Sequence, residues 1–166
     1  MMDAVCSNRV LCKIVSDKFG TVASSASRDM FISKMRFRVE WGDCDPADIV
    51  FYPQYLRWFD ACTTSLFQNA GLSLPDLFKE HGIIGIPVVD LKVRFIVPSG
   101  FGDELESESS VAEWRRSSFA IQHRFLKGKV LAVEGVETRV WTGIDPDNPD
   151  RMKSRPVPKE VIERFS

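Results

Sequence analysis

The stretch Trp41-Gly42-Asp43-Cys44-Asp45-Pro46-Ala47-Asp48-Ile49-Val50-Phe51-Tyr52-Pro53 sets three carboxylates in a turn between two different periodicities. Before it, Met35, Phe37, Val39 and Trp41 alternate with Arg36, Arg38 and Glu40, the period-two pattern of a strand with one buried face. After it, Leu56, Phe59, Cys62, Thr63, Leu66, Phe67 and Ala70 recur at steps of three and four. Gly71 then supplies a left-handed stop, so Pro53 to Ala70 reads as one helix of about five turns. A proline suits the first helical position, where a missing N–H costs nothing, which makes Tyr52 the expected cap. The free N–H groups of that helix start would face back toward the acidic turn. Read from the residues alone, a carboxylate before a proline is first of all a turn residue.

Downstream, Pro75 to His81 predicts a short helix ended by Gly82, with His81 a dipole-compatible terminal residue. The chain then turns to strand. Ile83 to Val97 is apolar and β-branched, and Glu104 to Glu113 alternates loosely. Ser118 to Leu126 sets Phe119, Ile121, His123 and Phe125 on one face, and Val130 to Trp141 does the same with Leu131, Val133 and Gly135. On that face His123 reads as a hydrogen-bonded core residue. Turn residues at Pro98 to Asp103 and at Lys127-Gly128-Lys129 predict hairpins between sequential neighbours. Asp145 to Asp150 reads as a loop, and Pro158 to Phe165 as a closing short helix. One strand, one long helix and a run of antiparallel strands make an α+β layer, a single helix against a single sheet. Such a layer leaves edges and apolar surface for a second copy to cover, so a homodimer or homotetramer is expected.

The 166 residues, 44% hydrophobic and 27% charged, suffice for one domain with a proper core. A net charge of -1 lacks the broad cationic excess that nucleic acid demands, so no nucleic-acid partner is expected. Residues 1–34 are Ser-rich, with apolar runs interrupted at Lys13 and Lys18, and can build neither a signal-peptide core nor a membrane span. They read as an appendage to a domain over 35–166, and Met30 and Met35 offer later start points. Cys6, Cys12, Cys44 and Cys62 form no CxxC pair, and His81 and His123 complete no zinc spacing; free thiols in a reducing cytoplasm are expected. An EF-hand fails because Ala47 and Gln54 stand where ligands belong. The Asp43/Asp45 pair also suits an aspartyl-phosphate phosphotransferase, but that chemistry needs Mg²⁺ and parallel βαβ units, against the antiparallel run.

The runs WGDCDPADIVFYPQYLRWFDA, EHGIIGIPVV, RFIVPSGFGDELE and EWRRSSF resemble the 4-hydroxybenzoyl-CoA thioesterase family of the hotdog superfamily, over roughly residues 36–165. The resemblance implies an antiparallel sheet wrapped around one long central helix, an acyl-CoA substrate, and no metal or cofactor. It makes Asp45 the catalytic carboxylate, acting on the thioester carbonyl as nucleophile or as the base for water. The N–H of Tyr52, at the positive end of the helix, would hold the carbonyl oxygen. A thiolate leaves readily, so one carboxylate and an oxyanion site are sufficient machinery. Asp60 matches the acid that bonds the phenol hydroxyl of the acyl group, as a buried carboxylate in need of a donor. Arg115 and Arg116 match residues that bind the coenzyme A phosphates, with Lys153 a further contributor. The chain departs from the family in having Asp48 for Gly, Ser117 for Lys and Ile86 for Thr, which leaves the acyl group open. A non-catalytic acyl-CoA-binding hotdog protein and a thioesterase for short aliphatic chains are the alternatives.

Overall fold

The alternation Met35-Arg36-Phe37-Arg38 forms strand β1 (Ser33–Arg38) in the computed structural model, which describes residues 31–166. The strand stops short of Trp41, because Trp41–Asp43 winds into a single 3-10 turn closed by a capping box between Glu40 and Asp43. Helix α1 (Tyr52–Asn69) follows the acidic turn. Its cap is Phe51, not Tyr52; Tyr52 is the first helical residue and Pro53 the second, still within the turn whose N–H groups have no helical partner. The buried stripe is Tyr55, Trp58, Phe59, Cys62, Thr63, Leu66 and Phe67, rotated slightly from the predicted one so that Leu56 lies at its margin.

The remaining elements are α2 (Leu74–Glu80), β2 (Ile83–Gly85), β3 (Val88–Phe95), β4 (Glu104–Trp114), β5 (Ser118–Lys127), β6 (Val130–Val140), β7 (Thr142–Asp145), β8 (Asn148–Ser154) and α3 (Lys159–Glu163). Five strands form an antiparallel sheet in the order β1-β4-β5-β6-β3, and α1 packs on its inner face. Phe67 and Leu66 meet Phe119, Ile121 and Trp141 at one end of the helix, while Tyr55, Trp58 and Phe59 meet Leu105, Phe125 and Val133 at the other. The helix comes so close to β6 that a methyl group on Gly135 would collide with the Phe59 ring. This is the hotdog arrangement the resemblance implied. Among the described residues, no helix is long and apolar enough to cross a membrane.

Three expectations are corrected. The apolar run Ile83 to Val97 is two strands, because Pro87 has no N–H for the ladder and the chain bends before it; β2 leaves the main sheet and joins β7 and β8 in a second, three-stranded sheet. The loop read at Asp145 to Asp150 is the tight end of the β7–β8 hairpin, where Asp145 and Asn148 accept from the N–H groups of Asp147 and Asp150, each at 3.1 Å. Finally, Pro98 to Asp103 is no hairpin. β3 pairs with β6 and β4 with β1 and β5, so this segment carries the chain from one sheet edge to the strand beside the other. In crossing, it bonds to the acidic turn and to the residue just after β1: Val50 N–H donates to Ser99 O at 2.8 Å, Gly102 N–H to Val39 O at 2.9 Å, and Val39 N–H to Asp103 O at 2.8 Å.

A bulge in β6 takes Leu131 off the row that faces the helix. Leu126 pairs with Leu131 but Phe125 pairs with Val133, so the inner face runs Val133, Gly135, Glu137, Arg139 and leaves Leu131 half-buried. Two ionisable side chains therefore lie under α1.

Candidate active site

The acidic turn is a small closed loop set against the first turn of α1. Cys44 and Val50 form an antiparallel bridge, Asp45 N–H donates to Ile49 O at 2.9 Å, and Phe51 N–H donates to Asp43 O at 2.8 Å. Its three acids are not equivalent. Asp43 closes the 3-10 turn, its Oδ2 accepting from Glu40 N–H at 2.8 Å. Asp48 is exposed and takes a left-handed backbone, φ 58°, which explains the glycine common there in the resembling family; aspartate is among the few other residues that tolerate it. The crossing segment presses on it, since a Cβ on Gly100 would stand 2.8 Å from Asp48 O.

Asp45, half-buried, holds its Oδ1 on the N–H of Ala47 at 2.8 Å, an Asx turn, and among the described residues no hydrogen bond reaches Oδ2. The turn role and a chemical role are thus compatible, one oxygen serving each. Phe51 spends its N–H on Asp43, whereas Tyr52, first in the helix, has no helical carbonyl for its own.

Arg115 and Arg116 follow the last residue of β4, whose first residue pairs with Arg38, next to the acidic turn. A strand of this length puts them roughly 30 Å away from Asp45 in the same chain. Both are exposed, and Arg115 is held by Glu113 through Nε and Nη2 at 3.0 and 2.8 Å. Lys153 lies on β8 against Asp145 and Asp147, at 3.3 and 3.8 Å. Arg116 O accepts from Val157 N–H at 2.8 Å, which ties the Arg115-Arg116 turn to the segment after β8. These three basic residues thus share one end of the molecule, opposite Asp45.

Asp60 is not the buried acid that was expected. Its side chain is 72% exposed on the outer stripe of α1, and it already has a donor: Nη2 of Arg139 reaches its Oδ1 at 2.8 Å. Behind it lies a polar network, of which the sequence announces only His123 as a hydrogen-bonded core residue and the alternate charges of β6. Arg139 donates from Nε to Glu137 Oε1 at 2.7 Å and from Nη1 to Ile86 O at 3.3 Å. Thr63 Oγ1 donates to the same Glu137 oxygen at 2.6 Å, and His123 Nδ1 lies 2.8 Å from Ser109 Oγ. His123 Nε2 stands 3.3 Å from Glu137 Oε1 without the geometry of a hydrogen bond, that oxygen being occupied by Thr63 and Arg139 already. Burial pushes the Glu137 carboxyl up, and His123 and Arg139 beside it outweigh that and hold it down at about 2. Ile86 keeps its side chain in the core and offers the network only its carbonyl.

A family model of the thioesterase-like superfamily matches residues 39–165. The chain belongs to that superfamily. Among its members, the 4-hydroxybenzoyl-CoA thioesterase of Pseudomonas sp. (strain CBS-3) is 36% identical over 138 residues, 80% of this chain and 96% of that one. A mutant 4-hydroxybenzoyl-CoA thioesterase solved in complex with 4-hydroxybenzoyl-CoA superposes with a TM-score of 0.75 at 33% identity, covering 82% of this chain and 99% of the other. BH1999 gentisyl-coenzyme A thioesterase gives a TM-score of 0.69 at 30% identity, over 81% and 100% of the two chains.

Proposed function

We propose that the protein hydrolyses acyl-CoA thioesters with an aromatic acyl group, 4-hydroxybenzoyl-CoA or a close hydroxyaryl relative, and that Asp45 is its catalytic carboxylate. The observation that carries this reading is the division of labour on Asp45: Oδ1 locks the turn and Oδ2 is free, beside the first turn of α1. In the reaction Asp45 attacks the thioester carbonyl to give an acyl anhydride that water then hydrolyses, freeing the acid and restoring the carboxylate, or it takes a proton from the water that attacks directly. On either route the C–S bond breaks, and the coenzyme A thiolate leaves and is protonated. The negative charge that develops on the carbonyl oxygen is met by the N–H of Tyr52 at the positive helix end, a donor of a kind worth about 3–4 kcal/mol. Two of the similar proteins carry a hydroxylated aryl group in the names of their substrates, which favours the aromatic reading. A non-catalytic binder would have no use for the free carboxylate oxygen. Cys44 and Cys62 are free thiols, in keeping with a cytoplasmic protein.

Because Arg115, Arg116 and Lys153 lie at the end remote from Asp45, one chain does not assemble the whole site. A homodimer or homotetramer resolves this, one subunit supplying the acidic turn and another the phosphate-binding cations. The edge strand β3 supports such assembly: Val88, Val89, Leu91 and Phe95 all stand exposed on it.

A panel of acyl-CoA thioesters, assayed for thiol release, tests the activity and ranks the acyl groups. Hydroxyaryl thioesters are expected to be cleaved fastest; equal rates on short aliphatic ones would refute the aromatic reading and leave thioester hydrolysis standing. A second expectation concerns the cations. Replacing Arg115 and Arg116 together by alanine should raise KM about tenfold or more while kcat changes little, since the phosphates they bind are remote from the scissile bond. Salt should raise the wild-type KM and affect the variant less. An unaltered KM for the full thioester would place the phosphates elsewhere.

A further inference from the structure

We propose that Arg139 is the positioning residue of the acyl-group site: it holds Oδ1 of Asp60 and thereby presents Oδ2 to the hydroxyl hydrogen of an aromatic acyl group. The proposal rests on the hydroxyaryl reading above and names the device that makes the discrimination.

Several observations converge on it. The Asp60 side chain is 72% exposed, and an unrestrained carboxylate in that setting samples several rotamers and selects nothing. A charge-assisted bond of 2.8 Å from Arg139 removes that freedom. Arg139 is itself 8% exposed and cannot drift, because Glu137 holds Nε at 2.7 Å and Nη2 at 3.2 Å, and Ile86 O takes Nη1. Glu137 is fixed in turn by the hydroxyl of Thr63, one helical turn beyond Asp60 on α1, so the acid and its support are braced against the same helix. A structural ion pair is already complete with Glu137 and Arg139. The extra bond out to Asp60 serves the surface, not the core.

The stereochemistry also limits what the site accepts. A carboxylate has about four lone-pair positions. Arg139 engages Oδ1, and among the described residues nothing else bonds the Asp60 carboxylate, so Oδ2 offers an acceptor only. A hydroxyl satisfies it. An unsubstituted ring leaves it unpaired, and a site built to bond a hydroxyl rejects the analogue that lacks one.

The test compares kcat/KM for 4-hydroxybenzoyl-CoA with that for benzoyl-CoA, a ratio from which general damage to catalysis cancels. It is measured for the wild type, Asp60→Ala, Arg139→Lys, and the double variant Glu137→Leu/Arg139→Met. The double variant replaces the buried pair with apolar groups and strands no charge; circular dichroism reports folding. The hydroxyl preference is expected to fall at least about tenfold in Asp60→Ala and in the double variant, chiefly through KM for the hydroxylated substrate. In Arg139→Lys it should fall less, because a single ammonium can still reach one of the two carboxylates. Full preference in the folded double variant, or in Arg139→Lys if the double variant does not fold, overturns the proposal. If Asp60→Ala loses the preference while the Arg139 variants keep it, Asp60 binds the hydroxyl without Arg139, and only the positioning role is lost. A wild type with no preference, or an Asp60→Ala variant that keeps it, overturns both.

Discussion

Asp45→Asn is expected to lower kcat at least about a hundredfold with little change in KM, and to leave the fold intact. Asparagine keeps a carbonyl oxygen where Oδ1 accepts from Ala47 N–H, so the Asx turn and the bond from the backbone N–H of residue 45 to Ile49 O survive. What disappears is the negative charge on Oδ2, needed to attack the thioester or to take a proton from water. That is an interaction of the transition state, and its loss falls on turnover rather than on binding. Rapid-mixing and steady-state thiol release, with a thermal melt as control, would decide it; a variant with near-normal turnover and a normal melt removes Asp45 from the chemistry.

The second large effect concerns assembly. The double variant Val89→Asp/Leu91→Asp places two charges on one face of β3, where Val89 is 61% exposed in the single chain. If β3 is the contact between subunits, burying those charges costs far more than the contact gains, since each apolar side chain there contributes only about 1.5–3 kcal/mol. Sedimentation is expected to find a monomer in place of the wild-type oligomer, with kcat/KM down by about a hundredfold or more, because Asp45 and Arg115 then lie at opposite ends of an isolated chain. A fully active monomer would show that one chain suffices. An unchanged oligomer would show that β3 is not the contact.

The long helix and the β4–β5–β6 meander were legible in the sequence because both are local: periodicity reports which face is buried, and Lys127-Gly128-Lys129 reports a tight turn. The β3–β4 connection was misread for the same reason. Turn residues announce that the chain changes direction, not beside which strand it lands, and Pro98 to Asp103 reverses only to cross the end of the fold. The split at Pro87 did have a signal, a proline in a run otherwise suited to a central strand. Asp45 and Tyr52 lie seven positions apart in one continuous turn, but the residues alone marked Asp45 as a turn residue, and the roles proposed for the two came from the resemblance. Asp60 and Arg139 are 79 positions apart, and their pairing depends on how α1 lies across the inner face of β6, where Glu137 and Arg139 continue the row of Val133 and Gly135. Alternate charges in an apolar strand were the only hint. The Asp48 departure, read as bearing on the acyl group, is first a matter of backbone conformation.

The borders of the main sheet are unlike one another. β1 spells Ser-Lys-Met-Arg-Phe-Arg, and Lys34 and Arg36 lean on Glu106 and Glu108 of the neighbouring strand, a fringe of charge that makes an approaching strand pay desolvation for every bond it gains. β3, at the opposite border, carries its exposed Val and Leu. A molecule with one sticky border and one guarded border can pair through a two-fold axis, sticky to sticky, and then has nothing left with which to recruit a third copy in the same direction. Growth by sheet extension would then be self-terminating: the same asymmetry that would join two subunits through β3 would keep a solution of this protein from polymerising into fibres.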